Sequence, residues 1–206
     1  MPVRNGCEIS QIRVLIRQLS QMPHSPLSMH SNPTESTGRE ALPPSAWVTR
    51  FGQRVTVAGR ILDVACGTGR HAHWFAERGF MVDAVDRADL PKLSPRIAFK
   101  RADIEAAPWP YAGKQFAAVV VANYLHRPLL NTLVESVAPE GWLIYETFSA
   151  GNEQFGRPSR ADFLLQPEEL LQVVLGRLIV VAYEDGFVDT PKPAMVQRIA
   201  AQFVSR

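Results

Sequence analysis

A short glycine turn between an apolar segment and a helical pattern has residue types that bind the charged group of a nucleotide-like ligand. The turn lies within ILDVACGTGRHA, where Gly67 and Gly69 follow the segment 61–66. Glycine lets the chain turn sharply and lets a ligand approach the backbone closely. The N-terminus of the following helix supplies free N–H groups and a partial positive charge, which attract an anion. A purely structural turn and the relaxed dinucleotide fingerprint Gly-x-Gly-x-x-Ala fit the same residues.

Asp63 favours a ligand that carries an ammonium group over a dinucleotide. A dinucleotide would place its pyrophosphate over the turn, where a nearby carboxylate would repel it. A ligand with both a carboxylate and an ammonium could direct the first at the helix N-terminus and the second at Asp63. The methionine end of S-adenosylmethionine carries both groups. The alternative is that Asp63 caps a turn or pairs with an arginine such as Arg60, because a buried charge needs a partner.

Two further acidic residues follow the next two predicted strands. Asp86 ends the segment 81–86 and could accept hydrogen bonds from both hydroxyls of a ribose. Asp103 follows the segment 97–102, and with the backbone of Ile104 it could contact an adenine amino group. Each acidic residue alone could equally be a helix cap or a solvated side chain. Because ligands of open α/β sheets bind at the carboxyl edge of the strands, three acidic residues at that edge indicate an adenosyl pocket.

The elements that would bring these residues together alternate along the chain. Strands are predicted at 60–65, 81–86, 97–102, 116–122, 141–147, 177–184 and 195–203, and helices at 69–78, 128–137 and 167–175. The nearly continuous apolar strands indicate a mostly parallel sheet with both faces covered. The link between the last two strands is too short for a parallel crossover, so the terminal strand should be antiparallel. The predicted fold is a Rossmann-like three-layer α/β sandwich with seven strands.

Composition and charge argue against several classes of protein. The chain has 206 residues, of which 46% are hydrophobic, as expected for a globular protein with a sizeable core. The net charge of +2 and the scattered basic residues argue against a nucleic acid partner. No apolar segment is long enough to span a bilayer, so no membrane association is expected. Cys7 and Cys66 do not suggest a disulfide framework, and a cytoplasmic location is expected.

The N-terminal part of the chain differs from the rest. Residues 8–19 could form a short amphipathic helix, and residues 20–46 are rich in Ser and Pro, which favours an extended linker. The spacing of Trp47 and Phe51 then predicts one face of a helix. The sequence therefore predicts a disordered or loosely packed extension over residues 1–44 and one domain over residues 45–206.

These residues resemble the motifs of the class I S-adenosylmethionine-dependent methyltransferases. The first family motif is similar to Leu62–Gly69, the second to Val85-Asp86, the third to Ala102-Asp103-Ile104 and the fourth to Phe116–Asn123. The resemblance covers residues 45–206, and within the class the chain is similar to bacterial tellurite-resistance-type methyltransferases.

The resemblance implies a set of cofactor-binding residues for S-adenosylmethionine. The methionine end would be held by Asp63 and by the backbone of Ala65, Cys66, Gly67, Thr68 and Gly69. The adenosyl part and the sulfonium region would be held by Asp86 with Arg87, by Asp103 with Ile104, and by Asn123.

Residues after the fourth strand bear on the chemistry. The sequence from Asn123 to His126 is not the Asn-Pro-Pro-aromatic signature of enzymes that methylate amino groups of DNA and proteins, so it does not support such acceptors. His126 and Arg127 are the candidate base and anion clamp. For His126, a packing role or a role at a helix terminus is equally open.

A polar loop that contains glycine leaves the fifth strand at the same edge of the sheet. Long loops beside a site are often lids or substrate walls. Its candidate substrate-binding residues are Glu146, Asn152, Arg157 and Arg160. The two arginines could receive an anionic acceptor, or they could simply be solvated.

The expected activity is methyl transfer from S-adenosylmethionine to a small-molecule acceptor. The reaction is an in-line displacement, in which much of the catalysis can come from alignment of the reactants. Two alternatives stay open: a nicotinamide-dependent reductase, against which Asp63 argues, and a non-catalytic module that binds S-adenosylmethionine. No metal site is expected.

Overall fold

Seven apolar segments form the seven strands of one sheet. The structure is a computed structural model that describes residues 42–92 and 94–205. The strands are β1 (Ile61–Val64), β2 (Val82–Asp86), β3 (Ile97–Arg101), β4 (Phe116–Ala122), β5 (Val137–Phe148), β6 (Ile179–Val188) and β7 (Ala194–Gln202). The α-helices are α1 (Ala46–Gly52), α2 (Arg70–Glu77), α3 (Leu130–Glu135) and α4 (Glu169–Val174), and short 3-10 helices cover Arg127–Leu129, Asn152–Gln154 and Ala161–Phe163. The predicted extension covers residues 1–44, and its first 41 residues, with the helix predicted at 8–19, lie outside the described residues.

The strand order β3-β2-β1-β4-β5-β7-β6 places β1 between β2 and β4, where the order along the chain reverses. β1 pairs in parallel with both neighbours, and Val64 lies opposite both Val85 and Val121. In open α/β sheets, the crevice beyond the carboxyl ends of the strands at such a reversal binds ligands. The register therefore determines which residues meet in that crevice.

The last strand of the chain lies inside the sheet. β7 runs antiparallel to both of its neighbours, β5 and β6, while the other neighbouring strands pair in parallel. The prediction of a seven-stranded, mostly parallel sheet with an antiparallel terminal strand is confirmed. β7 inserts between β5 and β6, however, so β6 is the edge strand. A short link allows a hairpin but does not determine which of its strands pairs with the rest of the sheet.

Helices cover both faces of the sheet. The rings of Trp47 and Phe51 in α1 have centroids 4.6 Å apart and share a buried cluster with Ala200 of β7. On the same strand, the side chain of Gln197 accepts a hydrogen bond of 2.7 Å from the N–H of Leu170 in α4. Because side chains alternate between faces along a strand, α1 and α4 pack on opposite faces. The central strands are thus covered on both sides, which accounts for their apolar sequences.

The start of β5 contains a very close backbone contact. A Cβ atom at Gly141 would lie 2.7 Å from the carbonyl oxygen of Ala138 and 2.9 Å from that of Phe116. The segment from Pro139 to Gly141 has turn chemistry, yet it forms an irregularity within β5, where the register with β4 shifts and Glu140 has a φ of 60°. The close approach of β4 and β5 therefore requires glycine at position 141.

We expect Gly141→Ala to lower the free energy of unfolding by about 3 kcal/mol, because the added methyl group meets backbone atoms that cannot move independently. Gly186→Ala in β6 is the control, since a Cβ atom there meets nothing within 4 Å. It should change the stability by less than about 0.5 kcal/mol. Urea unfolding of both variants measures the difference, and equal effects would refute the close contact.

Candidate active site

The glycine turn after β1 exposes its backbone toward the carboxyl edge of the sheet. Ala65, Gly67 and Gly69 have φ values of 50°, 55° and 75°. The N–H of Gly69 donates to the carbonyl oxygen of Cys66 at 2.9 Å, which closes the turn before α2 begins. Cys66 is buried and its thiol is free, whereas Gly67 and Thr68 are exposed. The turn therefore exposes the backbone of Gly67 and Thr68, and contact of this backbone with a ligand stays a prediction.

The carboxylate of Asp86 connects β2 to this turn. Its Oδ2 accepts a hydrogen bond of 2.8 Å from the N–H of Gly67, and its Oδ1 accepts one of 2.9 Å from the N–H of Ala88. A carboxylate has about four lone-pair sites, so each oxygen can still accept a hydrogen bond from a ligand. The two backbone contacts hold the carboxylate in one orientation.

Asp103 starts the turn that follows β3. Its Oδ1 accepts hydrogen bonds from the N–H groups of Glu105 and Ala106, at 3.0 and 3.2 Å. The capping role considered as an alternative is therefore present at Asp103. Its side chain is nevertheless exposed at the carboxyl edge, next to the buried Ile104. Capping and ligand contact are compatible here, because Oδ2 takes no part in the cap.

A cavity of about 530 Å³ lies at this edge, beyond the ends of β1 to β4. Its walls contain six of the eleven residues predicted to bind the cofactor: Ala65, Asp86, Arg87, Asp103, Ile104 and Asn123. The other five are Asp63 and the residues of the glycine turn from Cys66 to Gly69, which do not line the cavity. Five residues not predicted as site residues also contribute to the walls: Ala88, Ala102, Glu105, Tyr124 and Phe163.

Asp63 is buried, with 1% of its surface exposed. Its Oδ2 accepts a hydrogen bond of 2.9 Å from the N–H of Ala72 in α2. Burial raises the pKa of this carboxyl to about 7, although the hydrogen bond and the nearby Arg70 act in the opposite direction. Asp63 does not pair with Arg60, which forms an ion pair with Asp83 instead. The structural role considered for Asp63 is thus present as a link between β1 and α2, and contact with a ligand ammonium stays a prediction.

A second cavity, of about 200 Å³, adjoins the first. Glu105, Asn123, Tyr124 and Phe163 line both cavities. Asn123 follows β4 directly, and its positive φ of 57° turns the chain between the two cavities. The remaining walls of the smaller cavity are mostly apolar and consist of Leu125, Thr147, Phe148 and Pro158. Two adjoining cavities with a shared wall suit two ligands that must react with each other.

The two predicted catalytic residues line neither cavity. His126 precedes the first 3-10 helix, and its proposed role as a base stays a prediction. The guanidinium of Arg127 forms a two-point ion pair with Glu169, at 2.8 and 3.0 Å. It also donates to the carbonyl oxygens of Asp162 and Leu164, at 2.9 and 2.8 Å. Because four of its five N–H groups are used in these contacts, Arg127 holds the segment 162–164 in place instead of clamping an anion.

Glu146 and Asn152 also have structural partners. The Glu146 carboxylate lies 3.2 Å from the Nε of Arg198 on β7. Asn152 is buried, and its amide nitrogen donates to the carbonyl oxygen of Pro158 at 2.9 Å while its oxygen accepts from the N–H of Met195 at 3.1 Å. Glu146 therefore links β5 to β7, Asn152 secures the base of the loop after β5, and neither residue lines either of the two cavities.

The same loop contributes two other residues to the site. Arg157 and Arg160 are exposed and line neither cavity, and Arg160 pairs with Asp162 at 2.8 Å. Pro158 and Phe163 line the smaller cavity instead. This loop therefore lines the cavity through residues other than the four predicted ones, and a substrate-binding role of the loop stays a prediction.

The residues missed by the sequence analysis differ in the signal that they carry. Glu105 and Tyr124 stand directly after the motif residues Ile104 and Asn123, so their proximity to those motifs could have marked them. Phe163 lies in a loop far from any motif, and only the fold places it at the cavity.

Two further features concern the described part of the chain. In residues 42–92 and 94–205, no group of three or more His, Cys, Asp or Glu side chains is arranged to hold a metal ion. None of the helices in these ranges is long and apolar enough to cross a membrane.

Residues 61–141 match the family model of a methyltransferase domain. This match includes the glycine turn, the acidic residues at the carboxyl ends of β2 and β3, and all of β4. No curated protein matches the chain.

Several solved structures share the fold at low sequence identity. The 1,6-didemethyltoxoflavin-N1-methyltransferase of Burkholderia thailandensis, solved with 1,6-didemethyltoxoflavin and S-adenosylhomocysteine, has a TM-score of 0.57 at 16% identity, over 77% of each chain. TehB from Haemophilus influenzae has a TM-score of 0.58 at 14% identity, over 76% of this chain and 60% of its own. The N-methyltransferase NodS from Bradyrhizobium japonicum has a TM-score of 0.58 at 14% identity, over 77% and 93%.

The raised pKa of Asp63 predicts a pH-dependent stability. Because the pKa rises from 3.8 to about 7 on folding, the folded protein binds the proton more tightly, and stability is lost as the pH rises from about 4 to 7. Asp63→Asn keeps an oxygen for the N–H of Ala72 and removes the charge. We expect the variant to gain stability relative to the natural chain between pH 4.5 and pH 8, by an amount on the order of a few kcal/mol.

Urea unfolding of both proteins at the two pH values measures this relative change, and any packing cost of the amide cancels in the comparison. A difference in stability of the same size at both pH values would show that the pKa of Asp63 is not raised.

The contacts of Arg127 predict that its removal loosens the loop after β5. We expect Arg127→Ala to lower the free energy of unfolding by about 2 kcal/mol, because hydrogen bonds of charged groups contribute about 1.5–3 kcal/mol each and water replaces part of them. Limited proteolysis should also cut the loop faster. Arg157→Ala removes an exposed guanidinium from the same loop and should change stability by less than about 0.5 kcal/mol. Identical behaviour of the two variants would contradict the positioning role.

Proposed function

We propose that this chain is a class I S-adenosylmethionine-dependent methyltransferase and that it methylates a small molecule bound in the smaller cavity. The match of residues 61–141 to a methyltransferase domain and the shared fold support this proposal. The observation that carries this proposal is the shared wall between the two cavities. The enzyme of Burkholderia thailandensis, which shares the fold, acts on such a small molecule.

The larger cavity fits the adenosyl part of S-adenosylmethionine. Its volume of about 530 Å³ is within the usual range for ligand pockets, about 300–1,000 Å³. Asp86 keeps one free acceptor site on each oxygen, which suits the two adjacent hydroxyls of a ribose. Asp103 and Ile104 lie at the end of the next strand, where an adenine would follow the ribose. The residues present are therefore compatible with this cofactor.

When bound, S-adenosylmethionine supplies a methyl group on a positively charged sulfur. The chain's own residues then act through position. Asp86 orients the ribose, while Asn123 and Tyr124 line both cavities and border the place where donor and acceptor meet. Phe163, which lies in the loop that Arg127 holds, also lines both cavities. Alignment of two reactants in such a site can lower the barrier by about 7–11 kcal/mol.

The glycine turn gives little support to a nicotinamide-dependent reductase. The N–H of Gly67, which a pyrophosphate would need, donates to the carboxylate of Asp86. A pyrophosphate at this place would also lie beside that negative charge, which repels it. A non-catalytic binding module would bind the cofactor without turnover. Release of labelled methyl groups to a pool of small metabolites distinguishes it from the proposed enzyme.

Calorimetric titration of the purified chain with S-adenosylhomocysteine tests the cofactor site. We expect binding, and we expect Asp86→Asn to weaken it by about tenfold to a hundredfold. The asparagine keeps one oxygen for the N–H of Gly67 but loses the charge that strengthens the ribose hydrogen bonds.

Asp89→Asn is the matched control, because the Asp89 carboxylate is 74% exposed and pairs with Arg101 outside the cavity. It should bind S-adenosylhomocysteine with unchanged affinity. The proposal fails if the natural chain shows no binding at high micromolar ligand, and the role of Asp86 fails if both variants bind equally.

A further inference from the structure

The charges around the smaller cavity restrict the acceptor that it can take. Among its lining residues in the described part of the chain, Glu105 is the single acidic residue, and none is Lys, Arg or His. A buried or half-buried charge on a ligand needs a group of opposite charge nearby. An anionic acceptor would therefore meet a carboxylate and no cation, whereas a cation or an N–H donor would meet a suitable partner.

The basic residues near the cavity are committed elsewhere. The guanidinium of Arg127 is bound to Glu169 and to two carbonyl oxygens. Arg160 pairs with Asp162 in the loop, and Arg157 is exposed outside the cavity. The sequence allowed these arginines to receive an anion, and the structure gives none of them access to the site.

Tyr124 adds a second polar group next to Glu105. Its hydroxyl is buried and makes no hydrogen bond of normal geometry within residues 42–92 and 94–205. Burial, and then the neighbouring carboxylate of Glu105, raise the pKa of the Tyr124 hydroxyl, so it stays protonated. The contact with Glu105 leaves the hydroxyl oxygen able to accept a hydrogen bond. The hydroxyl oxygen and the Glu105 carboxylate can therefore both accept hydrogen bonds from one donor group at the wall between the cavities.

We propose that the acceptor is a small amine with an apolar substituent. Its nitrogen would bind between Glu105 and Tyr124, and its apolar part would pack against Leu125, Phe148 and Phe163. This inference rests on the proposed function, because it names the acceptor of the same site. The amine nitrogen is a donor that matches two acceptors, and the apolar substituent matches the remaining walls.

The chemical step balances without any further reactant. The lone pair of the neutral amine nitrogen forms the new bond to the methyl carbon, and the electron pair of the carbon–sulfur bond stays on sulfur. An amine that arrives as an ammonium ion must first give one proton to solvent water, which frees this lone pair. After the transfer the methylated nitrogen again carries the single positive charge, and the role of Glu105 is to attract and orient the nitrogen.

Three probes of one shape and different charge test this inference on the full chain: benzylamine, benzyl alcohol and benzoate. Ligand-detected NMR titrations measure their dissociation constants, with and without saturating S-adenosylhomocysteine. We expect benzylamine to bind at least about tenfold more tightly than benzoate, with the alcohol between them. The net charge of +2 would favour benzoate, so this order would have to come from the local carboxylate.

Glu105→Gln should weaken the binding of benzylamine by about tenfold and leave the affinity for benzyl alcohol nearly unchanged. Glu77→Gln is the matched control, since it removes one exposed carboxylate at the far end of α2. It should keep the natural preference. Tyr124→Phe, a second variant that retains the ring, should weaken the binding of benzylamine by about threefold, because one hydrogen-bond acceptor is lost.

The outcomes separate the two proposals. Binding of benzoate as tight as that of benzylamine, or equal effects of the Glu105 and Glu77 variants, would overturn the amine inference. Binding of S-adenosylhomocysteine together with either of these results leaves the proposed function standing. A clear preference for benzylamine without any binding of S-adenosylhomocysteine would instead overturn the proposed function.

Discussion

The parallel register of β1 with β2 and β4 is the constraint on which the rest of the site depends. Val64 lies opposite Val85 and Val121, so the residues that follow these strands reach one edge of the sheet at the same height. A slip of one residue would turn every side chain of the strand to the opposite face. The hydrogen bond from Gly67 to the carboxylate of Asp86 then fastens the glycine turn to the neighbouring strand. This arrangement determines which residues line the two cavities.

Most of the fold could be predicted, because its central strands are buried on both faces and their sequences are apolar almost throughout. β4 begins and ends where the sequence predicts, at Phe116 and Ala122. β5 begins four residues earlier than predicted. Pro139 and Gly141 have turn chemistry, which indicates a strand that starts only at Gly141, yet the sheet continues through this irregularity. The place of β7 inside the sheet depends on contacts between strands that are distant in sequence, and a local pattern carries no record of them.

Six of the residues predicted to bind the cofactor line one cavity, for a physical reason that does not extend to the predicted substrate residues. The former lie at or just after strand ends, and the sheet brings strand ends together. The role of Arg127 depends on Glu169, which lies 42 residues further along the chain. Its residue type and position after β4 suggested an anion clamp, and only the fold reveals the competing partner. The environment of the Asp63 carboxylate likewise depends on two elements. The sheet buries it, and the N–H of Ala72 in α2 donates a hydrogen bond to it.

We propose that the two cavities divide the site into an adenosyl side, where Asp86 is held between two backbone N–H groups, and an acceptor side bordered by Tyr124. A crystal structure of the full chain with S-adenosylhomocysteine tests this division most directly. We expect both ribose hydroxyls within hydrogen-bonding distance of the Asp86 carboxylate. We also expect the sulfur to lie beside Asn123 and Tyr124 and to face the smaller cavity. A ribose bound away from Asp86, or a sulfur that faces away from the smaller cavity, would contradict the division.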